Sequence, residues 1–294
     1  RDGDLEVYLS PDGTRYVVIQ SGLTDPGKLT LVNRTDGRRH LLHQSAVPEI
    51  PGLTEMTRER VTVTLEDGTV LYGILDRPEK PAAGKKYPVL VYTYGGPGSQ
   101  TTASRWRTRT ALWHRYLVSR GVCVFQLDNR GTGHRGRAFQ RLVHRDLGNL
   151  ELKDQIAGLD ILCKRYPWLD RERAGIWGWS YGGYMAAMAM TRYAGAFKVG
   201  VAVAPVTDWR LYDAPYTERY MGTPEENPDG YRDSSVLTWA DRLKDKLLLV
   251  HGVSDDNVHF QHTELLLNAF VEAGKYPDLM VYPGKKHSIR GNTT

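Results

Sequence analysis

The chain has 294 residues, of which 40% are hydrophobic, and a formal net charge of +5 at pH 7. This length and composition are enough to bury a substantial core in one large domain, or in one domain with a smaller attachment. No apolar run reaches the length of about 18 residues that a membrane-spanning helix needs, and no signal peptide is visible. Because the chain begins with Arg1 rather than Met, we expect a cut or processed N-terminus, so these absences assign no compartment.

The positive charge is concentrated in two arginine-rich stretches, one over residues 105–109 and one over residues 130–145. Such stretches are typical of nucleic-acid surfaces. Interspersed acidic residues, and the lack of zinc-finger or RNA-binding motifs, favour a solvated face or a protein interface instead. Two cysteines, Cys123 and Cys163, do not form a disulfide framework, and no Cys/His spacing indicates zinc. We therefore expect no nucleic acid, no metal and no cofactor.

Residues 1–51 are predicted to form a small antiparallel sheet. Four short strands, at residues 5–9, 16–19, 28–32 and 40–42, are separated by turn residues such as those at 10–13 and 36–37. Such a sheet is marginal by itself and needs a partner to cover it. It resembles one blade of a β-propeller, and no internal repeat accompanies it, so we expect only a last blade. Residues 48–51, with a proline at each end, supply a break.

Strands and helices alternate from residue 52 onward. Strands are predicted at residues 61–65, 70–75, 89–94, 122–127, 173–177, 198–203, 246–250 and 279–282, and helices at residues 111–119, 150–164, 184–190 and 260–273. Near-continuous apolar strands indicate a mostly parallel sheet covered by helices on both faces. Because the chain ends soon after the last strand, we expect that a C-terminal helix has been truncated.

Residues 178–182, with the sequence GWSYG, satisfy the pattern G-x-S-x-G. A predicted strand precedes them and a predicted helix follows, which is the context of a nucleophile elbow. The glycines at 178, 182 and 183 let the turn close without Cβ clashes, so the Ser180 hydroxyl can project from the sheet. The pattern predicts that Ser180 is a nucleophile and that residues 52–294 form an α/β-hydrolase domain.

A serine nucleophile needs a histidine base, which in turn needs a carboxylate to orient it. In this fold the acid and the histidine follow late strands, in that order. Asp255 and Asp256 follow the strand that ends at residue 250, and His287 follows the last strand. The spacing alone does not choose between the two aspartates, since one of them can cap the following helix. We expect the other histidines of this region, among them His251 and His262, to be surface groups or groups that support the site.

An acyl-transfer site also needs donors for the oxyanion that forms during the reaction. One expected donor is the backbone N–H of Tyr181, directly after the nucleophile. The second should come from the turn after the strand over residues 89–94. Pro97 in that turn has no N–H, so the Tyr94 hydroxyl is the stronger candidate.

Taken together, these motifs resemble the prolyl oligopeptidase family of serine peptidases, and most closely its dipeptidyl-peptidase IV branch. The resemblance covers residues 52–287. The motifs that carry it are GWSYGGY at 178–184, YGGPGSQ at 94–100, DNRGTG at 128–133, APVTDW at 204–209, YTERYMG at 216–222 and HGVSDDNVHFQ at 251–261.

The resemblance implies roles for individual residues. By the motif, Asp255 is the acid of the triad and Tyr94 is an oxyanion donor. The pocket for the residue before the scissile bond is implied to consist of Tyr181 with Val206, Trp209, Tyr212 and Tyr216. Such a flat-walled aromatic slot suits proline, because it encloses a compact ring and excludes longer side chains. Asn257 is implied to hydrogen-bond the substrate backbone.

The activity implied is that of a serine exopeptidase that releases an N-terminal dipeptide, or a tripeptide, after Pro or Ala through an acyl-enzyme. The resemblance also suggests a homodimer and a periplasmic or extracellular location. In the family a glutamate pair on the propeller binds the substrate amine; that pair is missing here, and Glu225 and Glu226 lie elsewhere. Two alternatives stay open: another acyl hydrolase, such as an acylaminoacyl peptidase or an esterase, and a catalytically silent interaction protein.

Overall fold

The computed structural model describes residues 3–47 and 49–291. Pro48, part of the predicted break, lies outside the described residues. The described chain forms two sheets, a four-stranded one followed by an eight-stranded one. None of the helices in the described part of the chain combines the length and the apolar character needed to cross a bilayer.

The first sheet is the antiparallel meander predicted from the sequence. Its strands pair in chain order and are β1 (Asp4–Leu9), β2 (Arg15–Ser21), β3 (Lys28–Asn33) and β4 (Arg39–Gln44). The turn between β1 and β2 closes where the Asp12 carboxylate accepts hydrogen bonds from Ser10 and Thr14. Most side chains of β1 and all those of β4 are exposed. A meander with exposed faces has the form of a single propeller blade.

The second sheet is mixed and mostly parallel, with the order β12-β11-β10-β9-β7-β8-β6-β5. Its strands are β5 (Met56–Thr64), β6 (Val70–Pro78), β7 (Tyr87–Tyr92), β8 (Cys123–Asp128), β9 (Leu169–Trp179), β10 (Val199–Val203), β11 (Lys246–Gly252) and β12 (Asp278–Tyr282). The helices are α1 (Thr108–Ser119), α2 (Arg137–Gln140), α3 (Leu150–Arg165), α4 (Tyr181–Thr191), α5 (Ala214–Met221), α6 (Pro228–Asp233) and α7 (Gln261–Glu272).

The strand directions are those of an α/β-hydrolase, which confirms the predicted fold. From β8 to β12 all neighbours in the sheet are parallel, and only β6 runs against its partners β5 and β8. Every side chain of β8 is buried, as expected for a central strand covered on two faces. The carboxyl ends of the parallel strands therefore meet along one edge of the sheet.

The structure corrects the sequence prediction in one strand and adds helices that the sequence did not predict. The strand predicted to reach Tyr94 ends at Tyr92, because Gly95 has a positive φ of 75° and turns the chain away from the sheet. The sequence did not predict the short helix α2, between β8 and α3, or α5 and α6, which lie between β10 and β11. A start signal for α5 was present, since Asp213 caps it by accepting a hydrogen bond from Tyr216 N–H and a proline occupies its first turn.

The junction between β9 and α4 is packed backbone against backbone. A Cβ atom on Gly178 would lie 2.4 Å from the Thr93 carbonyl oxygen, and one on Gly182 would lie 2.2 Å from the same atom. A Cβ on Gly183 would lie 2.5 Å from the Val203 carbonyl oxygen. Every side chain of α4 is buried, so this helix cannot move outward to make room. Only glycine fits at these three positions.

We expect Gly182→Ala to lower the free energy of unfolding by about 3 kcal/mol, since the new methyl group meets a backbone oxygen that cannot move aside. Gly274→Ala is the matched control: its φ of +67° is strained for alanine, but nothing lies near its Cβ position. The control should lose only about 1 kcal/mol. Urea unfolding of both variants measures the difference. Equal losses would show that α4 does not depend on this close approach.

Candidate active site

Ser180 lies between β9 and α4 in a strained backbone conformation. Its φ is 60° and its ψ is −117°, which a non-glycine residue adopts only where the surrounding structure holds it. Its N–H donates to the Val203 carbonyl oxygen at 2.8 Å, which ties the turn to the neighbouring strand β10. This geometry leaves the Ser180 side chain half-buried at the carboxyl edge of the sheet.

The imidazole of His287 faces the carboxylate of Asp255. His287 Nδ1 and Asp255 Oδ2 are 2.8 Å apart. The other oxygen, Oδ1, accepts hydrogen bonds from the N–H groups of Asn257 and Val258 at 3.0 Å each. The Asp255 side chain is fully buried. With Nδ1 donating to the carboxylate, His287 Nε2 keeps a free lone pair.

Asp256, the rival that the spacing left open, points elsewhere. Its side chain is 57% exposed and forms an ion pair with Lys286 at 2.7 Å. Lys286 is also the first cause of the lowered pKa of the Asp256 carboxyl group. Of the two aspartates, therefore, it is Asp255 whose carboxylate contacts His287.

The loop that carries His287 lies against the residue before Ser180. The indole N–H of Trp179 donates to the His287 carbonyl oxygen at 2.9 Å. Among the hydrogen bonds of residues 3–47 and 49–291, none joins the Ser180 side chain to His287. The serine hydroxyl turns about a single bond, and such catalytic contacts commonly tighten only when substrate is bound.

The two predicted oxyanion donors lie next to Ser180. Burial raises the pKa of the Tyr94 phenol, so the phenol is protonated and able to donate at neutral pH. Tyr181 is the first residue of α4. The N–H groups in the first turn of a helix have no intrahelical acceptor, so the Tyr181 N–H is available to a ligand.

The aromatic residues implied to line the pocket form one cluster. Trp209 lies at its centre and is almost fully buried. Its ring stacks on Tyr216, with centroids 5.9 Å apart, and lies 5.4 Å from the ring of Tyr181 and 6.0 Å from that of Tyr212. The Tyr212 hydroxyl donates to Asn257 Oδ1 at 2.7 Å. Val206, also buried, precedes Trp209 in the same loop.

The sequence left His251 either at the surface or in a position that supports the site, and the structure places it against the Asp255 carboxylate. It is fully buried, which excludes the surface position. Its Nε2 faces two acceptors, Asp255 Oδ2 at 3.1 Å and the Val258 carbonyl oxygen at 2.9 Å, while Nδ1 lies 2.7 Å from the Thr263 hydroxyl. These partners put the proton on Nε2. Burial lowers the pKa of His251, so the ring is a neutral donor to Asp255.

His262 supports the pocket from α7 and is also buried. The N–H of Thr207, between Val206 and Trp209, donates to His262 Nδ1 at 3.0 Å. The Thr207 hydroxyl donates to the His262 carbonyl oxygen at 2.7 Å. Burial lowers the pKa of His262 to about 4. The neutral ring thus fixes the loop that carries Val206 and Trp209, two of the residues implied to line the pocket.

The lowered pKa of His262 makes stability depend on pH. The unfolded chain takes up this proton near pH 6.5, whereas the folded protein does so only near pH 4, so acidification favours unfolding. The free energy of unfolding should fall between pH 6.5 and pH 4 by an amount on the order of 2–3 kcal/mol from this residue. His262→Gln should show a correspondingly flatter pH dependence in urea unfolding.

His43→Gln, at an exposed position in β4, is the control and should keep the wild-type pH dependence. The pH dependence of the two variants is compared because buried Glu151 has the opposite effect on stability. Its pKa is raised to about 7, so acidification increases its contribution to the free energy of unfolding. If His262→Gln and His43→Gln have the same slope, His262 is not neutral in the folded protein.

Comparisons with known proteins agree with this geometry. A family model, the Prolyl oligopeptidase family, matches residues 108–294. The chain is 45% identical to human dipeptidyl peptidase 8 over 226 residues, which is 76% of this chain and 25% of that protein. It is similar to the crystal structure of Porphyromonas gingivalis dipeptidyl peptidase 4, with a TM-score of 0.90 and 35% identity over 99% of this chain and 41% of the other.

The chain therefore spans a quarter of the curated relative and about two fifths of the solved structure. The family match includes α4 with Tyr181, and it extends through both Asp255 and His287. Because the model matches more than half of the residues, the chain belongs to the prolyl oligopeptidase family.

Proposed function

We propose that this chain carries the catalytic residues of a serine dipeptidyl peptidase that cleaves after Pro or Ala through an acyl-enzyme. The observation that carries the proposal is the 2.8 Å contact between His287 and Asp255, at the same sheet edge as the strained turn of Ser180. The matched relatives named dipeptidyl peptidase support the same chemistry. Release of tripeptides, a homodimer, a periplasmic or extracellular location and a domain division after residue 51 are further predictions.

In the proposed reaction, Ser180 Oγ attacks the carbonyl carbon of the scissile bond while His287 Nε2 takes its proton. Asp255 holds Nδ1–H and stabilises the imidazolium that forms. His287 then protonates the leaving amine, the C–N bond breaks, and the acyl group stays on Ser180. A water molecule, activated by the same imidazole, releases the acyl group and regenerates the serine.

The Tyr94 hydroxyl and the Tyr181 N–H are assigned as the donors that stabilise the negative charge on the tetrahedral oxygen. Both are fixed before the reaction starts, one on a glycine-rich turn and the other at a helix N-terminus. Donors that are preorganised in a partly buried site need no rearrangement when the charge appears. We therefore assign most of the lowering of the barrier to these two groups.

The aromatic cluster around Trp209 is the proposed pocket for the residue before the scissile bond. The rings of Tyr181, Trp209 and Tyr216 supply flat walls, and Val206 adds a short aliphatic one. Proline and alanine are compact and apolar, so they fit where a long or charged side chain loses its solvation without gaining a partner. The contact between Tyr212 and Asn257 ties the pocket to the proposed substrate-binding amide.

The direct test is a chromogenic panel that contains Gly-Pro and Ala-Ala anilides and a simple acyl ester. We expect the Gly-Pro anilide to have the highest kcat/KM, because proline fills the aromatic slot. Ser180→Ala should keep the wild-type unfolding curve and lower turnover at least about 10³-fold. Preference for the ester over both anilides would favour a different acyl hydrolase, and activity that survives in Ser180→Ala would reject the nucleophile.

The two neighbouring aspartates provide a matched pair of variants. Asp255→Asn should lower kcat about 10³- to 10⁴-fold, because the neutral amide no longer stabilises the imidazolium or fixes its tautomer. Asp256→Asn removes only an exposed ion pair with Lys286 and should change kcat less than about threefold. Steady-state kinetics on the best anilide decides. Equal effects at the two positions would contradict the assignment of the acid.

A further inference from the structure

Helix α3 carries three polar side chains that are completely buried: Glu151, Asp154 and Gln155. The inward face of such a helix is normally apolar. Asp154 has a structural explanation, since it accepts hydrogen bonds from Arg130 N–H at 2.8 Å and from the Arg130 guanidinium at 2.6 Å. Glu151 and Gln155 are one turn apart on the same face of the helix, and their hydrogen bonds do not involve Arg130.

Glu151 contacts the residue that follows the nucleophile. The Tyr181 hydroxyl donates to Glu151 Oε1 at 2.9 Å, inside the core. Burial raises the pKa of Glu151 to about 7 and raises that of Tyr181 well above its ordinary value. The other oxygen, Oε2, is buried without a hydrogen-bond partner among the described residues. A side chain buried at this cost, with one strong partner, fixes the orientation of the Tyr181 ring.

Gln155 acts on the turn that carries Tyr94. Its Nε2 donates to the Leu127 carbonyl oxygen and to Asn129 Oδ1, both at 2.9 Å. Asn129 Nδ2 in turn donates to the Gly95 carbonyl oxygen at 3.0 Å. Gly95 directly follows Tyr94, so the chain of contacts from α3 ends at the backbone that aims the Tyr94 phenol.

The hydrogen bonds that start at Glu151 and those that start at Gln155 lead to the two sides of one contact, between the Tyr181 ring and the turn that carries Tyr94. A Cβ atom on Gly96 would lie 2.8 Å from Tyr181 Cγ, so the backbone of the Tyr94 turn rests directly on that ring. The centroids of the Tyr94 and Tyr181 rings are 6.0 Å apart. The ring is therefore a spacer between the turn and α4. Its hydroxyl end is held by Glu151, and its main-chain end carries the N–H at the nucleophile.

The far end of the same turn is also fixed. The carboxylate of Asp128 accepts hydrogen bonds from the N–H groups of Thr101 and Thr102, at 2.8 and 3.1 Å, and from both hydroxyls. Hydrogen bonds with Asn129 near its start and with Asp128 at its end therefore tie the turn to the end of β8.

We propose that Glu151 and Gln155 are positioning residues that hold the two donors of the oxyanion site, the Tyr94 hydroxyl and the Tyr181 N–H, at a fixed separation. Neither side chain touches the substrate. The inference rests on the proposed function, because it assumes that those two donors stabilise the tetrahedral intermediate. Its consequence is that α3, which contributes no catalytic group, controls the rate of acylation.

The test compares Glu151→Gln, Glu151→Ala and Gln155→Met in kcat, KM and the rate of labelling of Ser180 by a fluorophosphonate. Glutamine keeps an acceptor for the Tyr181 hydroxyl, so Glu151→Gln should stay within about threefold of wild type. Glu151→Ala and Gln155→Met each release one donor, and kcat and the labelling rate should fall about 10- to 100-fold, since a displacement of about 1 Å is enough for such a loss. KM should change less than about threefold, because the donors act in the transition state.

Tyr181→Phe tests whether Glu151 acts through the tyrosine. It removes the hydroxyl and keeps the N–H, so it should reproduce the loss seen in Glu151→Ala. The double variant should lose no more than either single one. Leu159→Ala, a buried apolar residue of the same helix, is the stability control. Assayed well below its melting temperature, it should unfold more readily yet keep the wild-type kcat.

The inference is overturned if Glu151→Ala and Gln155→Met keep the wild-type labelling rate, if they change KM with kcat unaffected, or if Leu159→Ala loses kcat to the same extent. It is also overturned if losses in the double variant multiply. Failure of the proposed function gives a different result: the wild-type protein itself is not labelled at Ser180, in which case both proposals fall.

Discussion

The close approach of α4 to the ends of β7 and β9 is the constraint on which the site depends. Gly178 and Gly182 both press against the carbonyl oxygen of Thr93, and no side chain fits between them. Ser180 lies between these glycines with a positive φ of 60°, and the same approach brings the Tyr94 backbone against Gly182. The proposed nucleophile and one of the two proposed oxyanion donors thus lie on either side of one backbone contact.

Buried carboxylates hold the rest of the site around this contact. Asp255 accepts four hydrogen bonds, from two backbone N–H groups and two imidazoles, and Asp128 is likewise saturated by two threonines. These hydrogen bonds are needed because burying a carboxylate without hydrogen-bond donors costs free energy of folding. Glu151 differs, since one of its oxygens has no partner within the described residues. The fold therefore tolerates a buried carboxyl group with one unpartnered oxygen next to Tyr181, the residue that follows Ser180.

The sequence predicted those parts of the site that follow from local pattern. The elbow could be predicted because glycine spacing, strand and helix all occur within one short stretch. Asp255 and His287 could be placed at one edge because they follow neighbouring parallel strands. The choice between Asp255 and Asp256 could not be made from spacing, since it depends on which carboxylate the turn directs inward. The family resemblance made that choice.

Contacts between distant segments could not be predicted. Nothing in the pattern of α3 shows that Glu151 and Gln155 face the core, because polar residues on a helix are usually solvated. For His251 the sequence offered a surface or a supporting position, but its contact with Asp255 could not be predicted, since it depends on how the loop over residues 252–258 turns back toward the end of β11. The partners of the arginine-rich stretches are a further example: Arg130 pairs with Asp154 and Asp67, which are distant in the sequence.

A crystal structure of the protein with a dipeptide boronic acid ending in boroproline tests the central claim most directly. The account predicts a covalent bond from boron to Ser180 Oγ and one boronate oxygen within about 3 Å of both the Tyr94 hydroxyl and the Tyr181 nitrogen. The pyrrolidine ring should lie against Trp209, and His287 should keep its contact with Asp255. A boronate attached elsewhere, or one whose oxygen lies away from both donors, would contradict the account.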